Sequence, residues 1–308
     1  MKYLPLIVIS ITCLLGCTQQ VSEEEIDHQQ DADVEYEPNA FLPKYPDGNS
    51  PTVYVDEAHY NFHTIEGRYR PFAKLLEQDG YTVKPFRDKF TNESLLGIEI
   101  LLVASAFADS ANWTLPTKSA FTDEEIEAVN QWVTNGGSLF LIADHMPAAG
   151  AAAKLAISFD LNFVNGYLYN AKSFSDIDIF RKNDESLSDV PLTSGIDSIA
   201  TFTGQAFAIP RNAQSIINVG ENFVIFLPSE IGKIHGSKTP KFYAKGLSQG
   251  AILEYGEGRI AVFGEAGMFT AQVSGDEKFK MGMNNENASQ NFQLLLNTVH
   301  WLDEGLFF

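Results

Sequence analysis

The stretch SLFLIADHMPAAGAAAKLA, residues 138–156, predicts a strand, a polar turn and a helix in immediate succession. SLFLIA, residues 138–143, is apolar at every position after the first, so both faces of the strand should be buried, as in a parallel sheet covered on each side. The alanine-rich run 148–156 favours a helix. A buried strand that leads through a short turn into a helix is the repeating unit of a parallel α/β sheet.

Four other segments predict strands, and two of the segments between them carry helix signals. Thr122 and Glu125 have the spacing of a capping box at a helix start, and Pro71 falls in the first turn of an earlier helix. This alternation predicts a doubly wound, mostly parallel α/β sheet. Shorter β-like runs between Leu161 and Pro240, broken by Gly, Pro and Asn, predict a β-rich insertion. The additional strand candidates are VYV (53–55), residues 81–86, EILLVA (99–104) and RIAVFG (259–264).

The N-terminus predicts export and lipid attachment. Lys2 precedes an apolar run, residues 4–15, that is too short to span a bilayer. Leu14-Leu15-Gly16-Cys17 resembles a bacterial lipobox, in which the cysteine is lipidated and becomes the mature N-terminus. The alternative is an ordinary secretory signal with an incidental cysteine. We expect residues 1–17 to be a signal peptide and Cys17 to carry the lipid anchor. An aspartate directly after the cysteine would retain a lipoprotein in the inner membrane. Because Thr18 stands there, we expect Cys17 to anchor the protein in the outer membrane of the cell envelope.

Composition limits the chemistry of the mature chain. Cys13 and Cys17 are the only cysteines, so no disulfide, cysteine metal ligand or thiol nucleophile remains after processing. The net charge is −19, from 40 acidic and 21 basic residues, which disfavours binding to nucleic acid. Acidic residues crowd the segment 18–45 and predict a disordered tether. Residues 46–308 are long enough for one α/β domain.

Polar side chains follow three of the predicted strands. In a parallel α/β sheet, the loops beyond the carboxyl ends of the strands line the crevice where ligands bind. We therefore expect these side chains to converge at one edge of the sheet. They are Asp56, His59, Asn61 and His63 after VYV, Asp144 and His145 after SLFLIA, and Glu265 after RIAVFG.

Each of these groups also has a structural interpretation. His59 and His63 are four residues apart, which on a helix would place two imidazoles on one face and suit a metal. In a loop the pair would instead be a hydrogen-bonded packing feature. Asp144 could cap the following helix, and Glu265 could be a first-turn charge favoured by a helix dipole. No G-x-S-x-G elbow and no G-x-x-x-x-G-K-[ST] loop occurs, so an α/β-hydrolase serine and a helicase are both unsupported.

Four longer stretches carry a resemblance to known proteins: VDEAHYNFHTIEGRYRPFAKLLEQDGY (55–81), FTDEEIEAVNQWVTNGGSLFLIADHMPAAGAA (121–152), GEAGMFTAQ (264–272) and QNFQLLLNTVHWL (290–302). They resemble a family of bacterial proteins of unknown function with the class I glutamine amidotransferase-like fold, to which trehalose-utilisation-like proteins are related. The resemblance implies a flavodoxin-like α/β fold. A true amidotransferase needs a cysteine nucleophile at the turn after a strand, and the comparable turn here is Asp144-His145-Met146-Pro147, so glutamine hydrolysis by that route is excluded.

The first functional hypothesis is a hydrolase. A divalent metal (zinc, manganese or iron) would activate water, with Glu265 as general base. If no metal is bound, Asp144 and His145 would act directly in acid–base catalysis. Asn61 and Arg68 would bind the substrate, a carbohydrate or another small molecule, and no nucleotide or flavin is indicated. The metal ligands would be His59, His63 and His145 with Asp56 or Asp144, and whichever aspartate is not a ligand could act as general base in place of Glu265.

The second hypothesis belongs to another class: a non-catalytic binding or scaffold module of an envelope assembly or transporter. The two hypotheses differ in what they predict for the polar side chains at the strand ends. The hydrolase requires an open cleft with the three loops facing each other. The scaffold predicts that the polar clusters are buried and hydrogen-bonded, with no open pocket.

Overall fold

The computed structural model describes residues 30–110, 113–175, 177–275 and 278–304. Four α-helices lie within them: α1 Arg70–Gln78, α2 Asp123–Thr134, α3 Ala148–Ile157 and α4 Asn291–Glu304. The strands are β1 Gln30–Ala32, β2 Thr52–Asp56, β3 Thr82–Phe86, β4 Ile100–Ala104, β5 Ser138–Ile142, β6 Asn162–Phe163, β7 Tyr167–Asn170, β8 Asp178–Arg181, β9 Ser198–Thr201, β10 Phe207–Ala208, β11 Gln214–Asn218, β12 Phe223–Phe226, β13 Lys241–Tyr243, β14 Ser248–Tyr255, β15 Gly258–Phe263, β16 Ala271–Ser274 and β17 Phe279–Gly282.

A large mixed sheet organises the molecule. Five strands in the order β3-β2-β4-β5-β15 run parallel, and β14, β10 and β6 continue the sheet antiparallel, with β11 paired on β14. Helices α1 and α4 pack on one face and α2 and α3 on the other. The carboxyl ends of β2, β4, β5 and β15 therefore meet at one edge, as the sequence pattern predicts.

The two most apolar segments form the centre of the sheet. Every residue of β4 and of β5 is buried, because both faces are covered. Leu102 and Ala104 face the α1 and α4 side, whereas Leu101 and Val103 face the α2 and α3 side. Burying side chains of this kind stabilises the fold by about 1.5–3 kcal/mol each. The continuous apolar runs thus correctly predict the buried strands.

Both helix signals read from the sequence are confirmed. Thr122 caps α2: its side chain accepts a hydrogen bond from the Glu125 backbone N–H at 3.2 Å, and the Glu125 carboxylate accepts one from the Thr122 N–H at 3.0 Å. Pro71 lies in the first turn of α1. These local contacts fix where each helix begins, and so fix the loops between the strands and helices.

The β-rich segment between Leu161 and Pro240 extends the main sheet and adds two small sheets. Strands β6, β10 and β11 join the main sheet, β12 lies between β13 and β7, and β8 pairs with β9. A further three-stranded sheet, β1-β16-β17, stands after β15. Its position matters for function, because β16 and β17 form one wall of the cavity described below.

Part of the segment predicted as a disordered tether packs on the domain. From Gln30 onward, β1 pairs with β16, and the Asp33 N–H donates to the Ala271 carbonyl at 2.8 Å. Tyr36 and Phe41 pack against the core. The acidic composition of residues 18–45 does not predict this packing, because the hydrogen bonds come from a partner strand that is distant in sequence. Residues 1–29, with the predicted signal peptide and Cys17, lie outside the described residues. Among the described residues no helix combines the length and apolar character needed to cross a membrane.

Candidate active site

The polar residues after β2 divide into two groups. Asp56 holds the His59 ring, with its two carboxylate oxygens 2.9 and 3.0 Å from Nδ1, and Glu125 of α2 lies 3.1 Å from Nε2. The Asn61 side-chain amide donates to Asp56 at 2.9 Å. All of the ring's hydrogen-bonding capacity is used within this cluster, which also ties the loop after β2 to the start of α2. The Asp56–His59–Glu125 cluster is thus built as a structural clamp.

Charge and burial act in opposite directions on the clamp. Burial lowers the pKa of His59, but the hydrogen bonds and charges of Asp56 and Glu125 outweigh burial and raise the pKa above its ordinary value. Burial raises the pKa of Glu125, but hydrogen bonds from Thr122 and His59 lower it overall. The clamp therefore favours a charged His59 imidazole between two carboxylates. The His59 ring packs beside Phe90, with ring centroids 4.6 Å apart.

Of the two alternatives for His59 and His63, a helix face or a loop, the structure has the loop. Residues 57–66 form turns and loops, and Tyr60 has a positive φ of 46°. The spacing of four residues has no meaning without a helix. His63 instead turns away from the clamp, stacks on Tyr69 with ring centroids 4.5 Å apart, and lines a cavity. Asn61 belongs to the clamp and is not among the residues that line the cavity.

That cavity, of about 410 Å³, opens at the carboxyl ends of β2, β4, β5 and β15. A larger hollow of about 610 Å³ lies at the opposite edge beside Gly97 and Gly136. No histidine lines the larger hollow, which lies at the amino ends of β4, β5 and β15. The smaller cavity, at the carboxyl ends of the parallel strands, is therefore the candidate site. The polar residues lining the candidate site are Gln30, His63, Ser105, Asp144, His145, Thr203, Glu265, Gln272 and Ser274, and its aromatic residues are Phe62, Phe107, Trp113, Phe202 and Phe279.

Asp144 and His145 are oriented by the backbone around them. Asp144 accepts the His145 N–H at 2.6 Å and the Ala266 N–H at 3.2 Å. His145 Nδ1 lies 2.8 Å from the Met146 carbonyl oxygen. Because a carbonyl only accepts, Nδ1 carries the proton and Nε2 is left as an acceptor, 3.8 Å from an Asp144 oxygen. Helix α3 begins after Pro147 with no side-chain cap, so Asp144 does not serve as its cap.

Glu265 is a buried carboxyl group at the floor of the cavity. Its two oxygens accept backbone N–H groups of Gly267 and Met268. Burial raises the pKa of Glu265 well above its ordinary value, and the neighbouring charge of Asp144 raises it further, against the effect of the backbone donors. The raised pKa favours the protonated carboxyl group, which can donate its proton to a ligand.

Three buried polar atoms around the cavity lack a hydrogen-bond partner. They are His63 Nδ1, Ser105 Oγ and Gln272 Oε1, three of the four such side-chain atoms among the described residues. Leaving a buried polar atom unpaired costs about 1–3 kcal/mol, and native structures keep few of them. Burial and the nearby Arg68 charge lower the pKa of His63 to about 3, so its imidazole is neutral. The concentration of unpaired atoms marks a surface that is complementary to a polar ligand.

Sequence reasoning missed Ser105 and Gln272. Ser105 directly follows the buried strand EILLVA, and that position was the available signal. Gln272 lies on β16, whose arrival at this edge depends on chain segments far apart in sequence. Arg68 does not line the cavity: its guanidinium carbon lies 3.9 Å above the Phe62 ring, and its Nε donates to the Gln30 carbonyl at 3.1 Å. Arg68 thus braces the rim, and its predicted role in substrate binding stays a prediction.

The predicted metal ligands do not converge. Asp56 and His59 belong to the clamp, where both ring nitrogens are occupied, whereas His63 and His145 line the cavity. Over the described ranges, no group of three or more His, Cys, Asp or Glu side chains could hold a metal ion together. The four residues therefore do not fit one divalent ion, and the mechanism proposed below uses none.

No protein-family model and no curated protein matches the sequence, but solved structures match the fold. The mmIFT52 N-terminal domain superposes with a TM-score of 0.60 at 12% identity, covering 83% of this chain and 99% of that chain. A ThuA-like protein from Parabacteroides merdae has a TM-score of 0.46 at 14% identity, covering 83% and 90%. A second ThuA-like protein, from Bacteroides uniformis, has a TM-score of 0.44 at 13% identity, covering 87% and 95%. The chain therefore shares the mixed α/β fold of the mmIFT52 N-terminal domain.

Proposed function

We propose that this protein is a hydrolase that uses acid–base catalysis in the cavity at the carboxyl ends of β2, β4, β5 and β15. One observation carries the proposal: three unpaired buried polar atoms line the same cavity as Asp144, His145 and Glu265. A protein that needed these residues only for stability would satisfy their hydrogen bonds internally. Titratable groups in contrasting environments around one cavity are typical of catalytic sites.

The roles follow from the protonation states. The His145 ring donates through Nδ1 to Met146, so Nε2 is free to take a proton from water, and Asp144 nearby stabilises the resulting imidazolium. Burial and the charge of Asp144 raise the pKa of Glu265, which favours its protonated form, and Glu265 would donate that proton to the leaving group. His145 thus supplies the base side of the reaction and Glu265 the acid side.

The binding or scaffold hypothesis explains only part of the structure. It predicts buried, hydrogen-bonded polar groups, and the Asp56–His59–Glu125 clamp meets that description. The groups around the cavity do not, since His63 and Ser105 keep unpaired atoms there. The aromatic lining favours one alternative, a small-molecule binding protein without turnover, because aromatic walls with a few polar groups are also typical of binding pockets.

Turnover of a substrate panel separates these two functions. We expect the mature protein to hydrolyse at least one class among para-nitrophenyl carboxylic esters, phosphates, sulfates and glycosides. Asp144→Asn keeps the shape but removes the charge that stabilises the imidazolium, so kcat should fall by about 100-fold or more. The matched control is Asp88→Asn, an exposed carboxylate in the loop after β3, which should leave kcat unchanged. Saturable binding with no turnover of any class would favour the binding protein.

We also propose that the fold is of the flavodoxin-like, class I glutamine amidotransferase-like type. The parallel strand order β3-β2-β4-β5-β15 with helices on both faces supports this assignment. The absence of cysteine from the residues after Cys17 excludes the amidotransferase reaction itself.

Lipid anchoring at Cys17 is the proposed localisation signal, supported by the lipobox-like Leu14-Leu15-Gly16-Cys17. In a bacterial host, the full chain should fractionate with the outer membrane and carry the mass of a lipid on Cys17. Cys17→Ser should abolish the lipid mass and shift the protein out of the membrane fraction, since the lipid chains supply the affinity. Cys13→Ser, within the predicted signal peptide, is the control and should still be lipidated. Unchanged membrane association of Cys17→Ser would contradict the anchor.

A further inference from the structure

We propose that Gln272 selects the substrate by accepting a hydrogen bond from it. The substrates then carry an amide N–H or a hydroxyl on a flat apolar body and have no negative charge. The inference rests on the proposed hydrolase function and narrows its substrate class. Three features carry it: a buried side-chain carbonyl without a partner, the attachment of that group to the turn that holds Glu265, and the composition of the cavity walls.

The side-chain carbonyl oxygen of Gln272 has no hydrogen-bond donor, although the residue lines the cavity and is only 1% exposed. The side-chain nitrogen, in contrast, has two acceptors, Thr270 Oγ1 at 2.7 Å and the Met281 sulfur at 3.9 Å. A primary amide has two N–H groups to donate. Both are thus used within the protein, and only the oxygen is left for a ligand.

The orientation of the Gln272 amide is fixed by its neighbour. The Thr270 hydroxyl donates its only proton to the Gly267 carbonyl, 2.7 Å away, so toward Gln272 it can only accept. The group that contacts Thr270 is therefore the Gln272 nitrogen, which leaves the carbonyl oxygen as the unpaired atom. Because a carbonyl oxygen has no proton to give, it selects a ligand that brings a donor.

The backbone of Gln272 holds this acceptor in place. Gln272 lies on β16, the middle strand of its three-stranded sheet, opposite Ala32 of β1 and Met281 of β17. Its backbone carbonyl also accepts the Asn284 side-chain amide at 2.9 Å. The side-chain carbonyl is therefore positioned before a ligand arrives. A group that is already positioned loses little conformational entropy on binding.

The acceptor is linked to the proposed general acid. Gly267, whose carbonyl accepts the Thr270 hydroxyl, donates its N–H to Glu265. Hydrogen bonds therefore connect Glu265 and Gln272 through Gly267 and Thr270. A substrate donor bonded to Gln272 is held in a fixed relation to the proton of Glu265, and orientation of this kind contributes to catalysis.

The charges around the cavity disfavour anionic substrates. Among the described residues that line it there is no lysine or arginine, whereas Asp144 supplies a carboxylate. Arg68 lies over the Phe62 ring outside the lining, where Asp31 supplies a countercharge. The net charge of −19 disfavours an anion further. A negatively charged substrate would thus meet like charge with no cationic partner in the lining.

Aromatic rings form much of the apolar lining. Trp113 lies near Phe62 and Phe107, with ring centroids 6.5 and 6.1 Å away. Trp113 is 51% exposed, so its ring remains accessible to a ligand. Aromatic walls with a few fixed polar groups favour a flat apolar body whose polar group is correctly placed.

Three compounds of the same shape test the inference: benzamide, acetophenone and benzoate. They share a phenyl ring and a carbonyl group, but only benzamide has an N–H donor and only benzoate is charged. We expect the mature protein to bind benzamide about 10-fold more tightly than acetophenone, the effect of one hydrogen bond to a buried acceptor. Benzoate should bind more weakly than both. Ligand-detected NMR titrations at neutral pH measure the three dissociation constants.

The variant that tests the residue is Gln272→Met, which keeps the approximate length of the side chain but removes the acceptor. We expect it to bind benzamide and acetophenone equally, because acetophenone has no donor for the Gln272 carbonyl. A purely structural role for Gln272 would weaken the binding of both compounds together and leave their ratio unchanged. The control is Gln214→Met, at an exposed position on β11 away from the cavity lining, which should keep the wild-type ratio.

Equal binding of benzamide and acetophenone by wild type would overturn the inference, whether or not Gln272→Met folds. A folded Gln272→Met protein that keeps the preference would also overturn it, since another group would then accept the donor. So would tighter binding of benzoate than of benzamide, or no binding of any of the three.

Turnover of the substrate panel separates this inference from the broader function. Hydrolysis by wild type without a preference for benzamide would remove the selective role of Gln272 while the hydrolase stands. Turnover confined to the anionic phosphates or sulfates would have the same meaning. A preference for benzamide that disappears in Gln272→Met, with no turnover of any substrate, would remove the hydrolase and leave Gln272 as the residue that selects the ligand.

Discussion

Replacing Asp56 with alanine is expected to lower the free energy of unfolding by about 3–5 kcal/mol, the range for breaking a buried charged pair by removing one partner. Asp56 is fully buried and accepts hydrogen bonds from the Ala58 N–H, the His59 ring and the Asn61 amide. Its loss would leave a buried imidazolium short of a carboxylate and free the loop after β2. Chemical denaturation of the mature protein measures the change.

The control for Asp56 is Asp88→Ala, which removes an exposed carboxylate and should change the free energy of unfolding by less than about 0.5 kcal/mol. The pH dependence adds a second readout. The folded-state pKa of His59 is raised, so the clamp contributes fully to the free energy of unfolding below the ordinary His pKa of 6.5. This contribution is lost as pH rises through the raised pKa. Asp56→Ala should flatten that slope. If Asp56→Ala lost no more stability than Asp88→Ala, the structural role of the clamp would be contradicted.

Glu265→Gln is expected to lower kcat by about 100- to 10,000-fold, the usual contribution of a general acid. Glutamine keeps the size of the side chain but has no transferable proton. Wild-type activity should be lost as pH rises through the raised pKa of Glu265, because only the protonated form donates. The variant's residual activity should lack that basic limb. Steady-state kinetics across pH on whichever substrate the panel identifies measures both effects.

The control for Glu265 is Glu254→Gln, an exposed position on β14, which should leave the kinetics unchanged. A Glu265→Gln variant that keeps wild-type kcat, or that keeps the basic limb, would show that the proton comes from another group. Agreement between its unfolding transition and that of wild type would exclude loss of folding as the cause of an activity change.

Much of the fold follows from the sequence because its central elements are locally determined. SLFLIA and EILLVA are apolar throughout, and burial on both faces is the simplest arrangement that satisfies such segments. Thr122 and Glu125 fix the start of α2 through contacts three residues apart. The order of the strands and the pairing of β1 with β16 depend on contacts between distant segments, which local patterns do not encode.

The sequence predicts the site residues whose positions depend on the sheet, but not those whose positions depend on the paths of loops. Asp144, His145 and Glu265 reach one cavity because parallel strands end at a common edge. His59 and His63 separate because the loop turns at Tyr60, with its positive φ. Ser105 carried no motif, and only its conformation and its unpaired hydroxyl distinguish it from other small residues near a strand end.

Comparing two histidine variants distinguishes chemistry at the cavity from chemistry at the clamp. His145→Ala and His59→Ala would be measured side by side for kcat/KM and for the free energy of unfolding. We expect His145→Ala to lose about 100-fold or more in kcat/KM with little change in stability. His59→Ala should lose stability while its folded fraction keeps wild-type kcat/KM. The reverse pattern would contradict the account and place the active site at Asp56, His59 and Glu125.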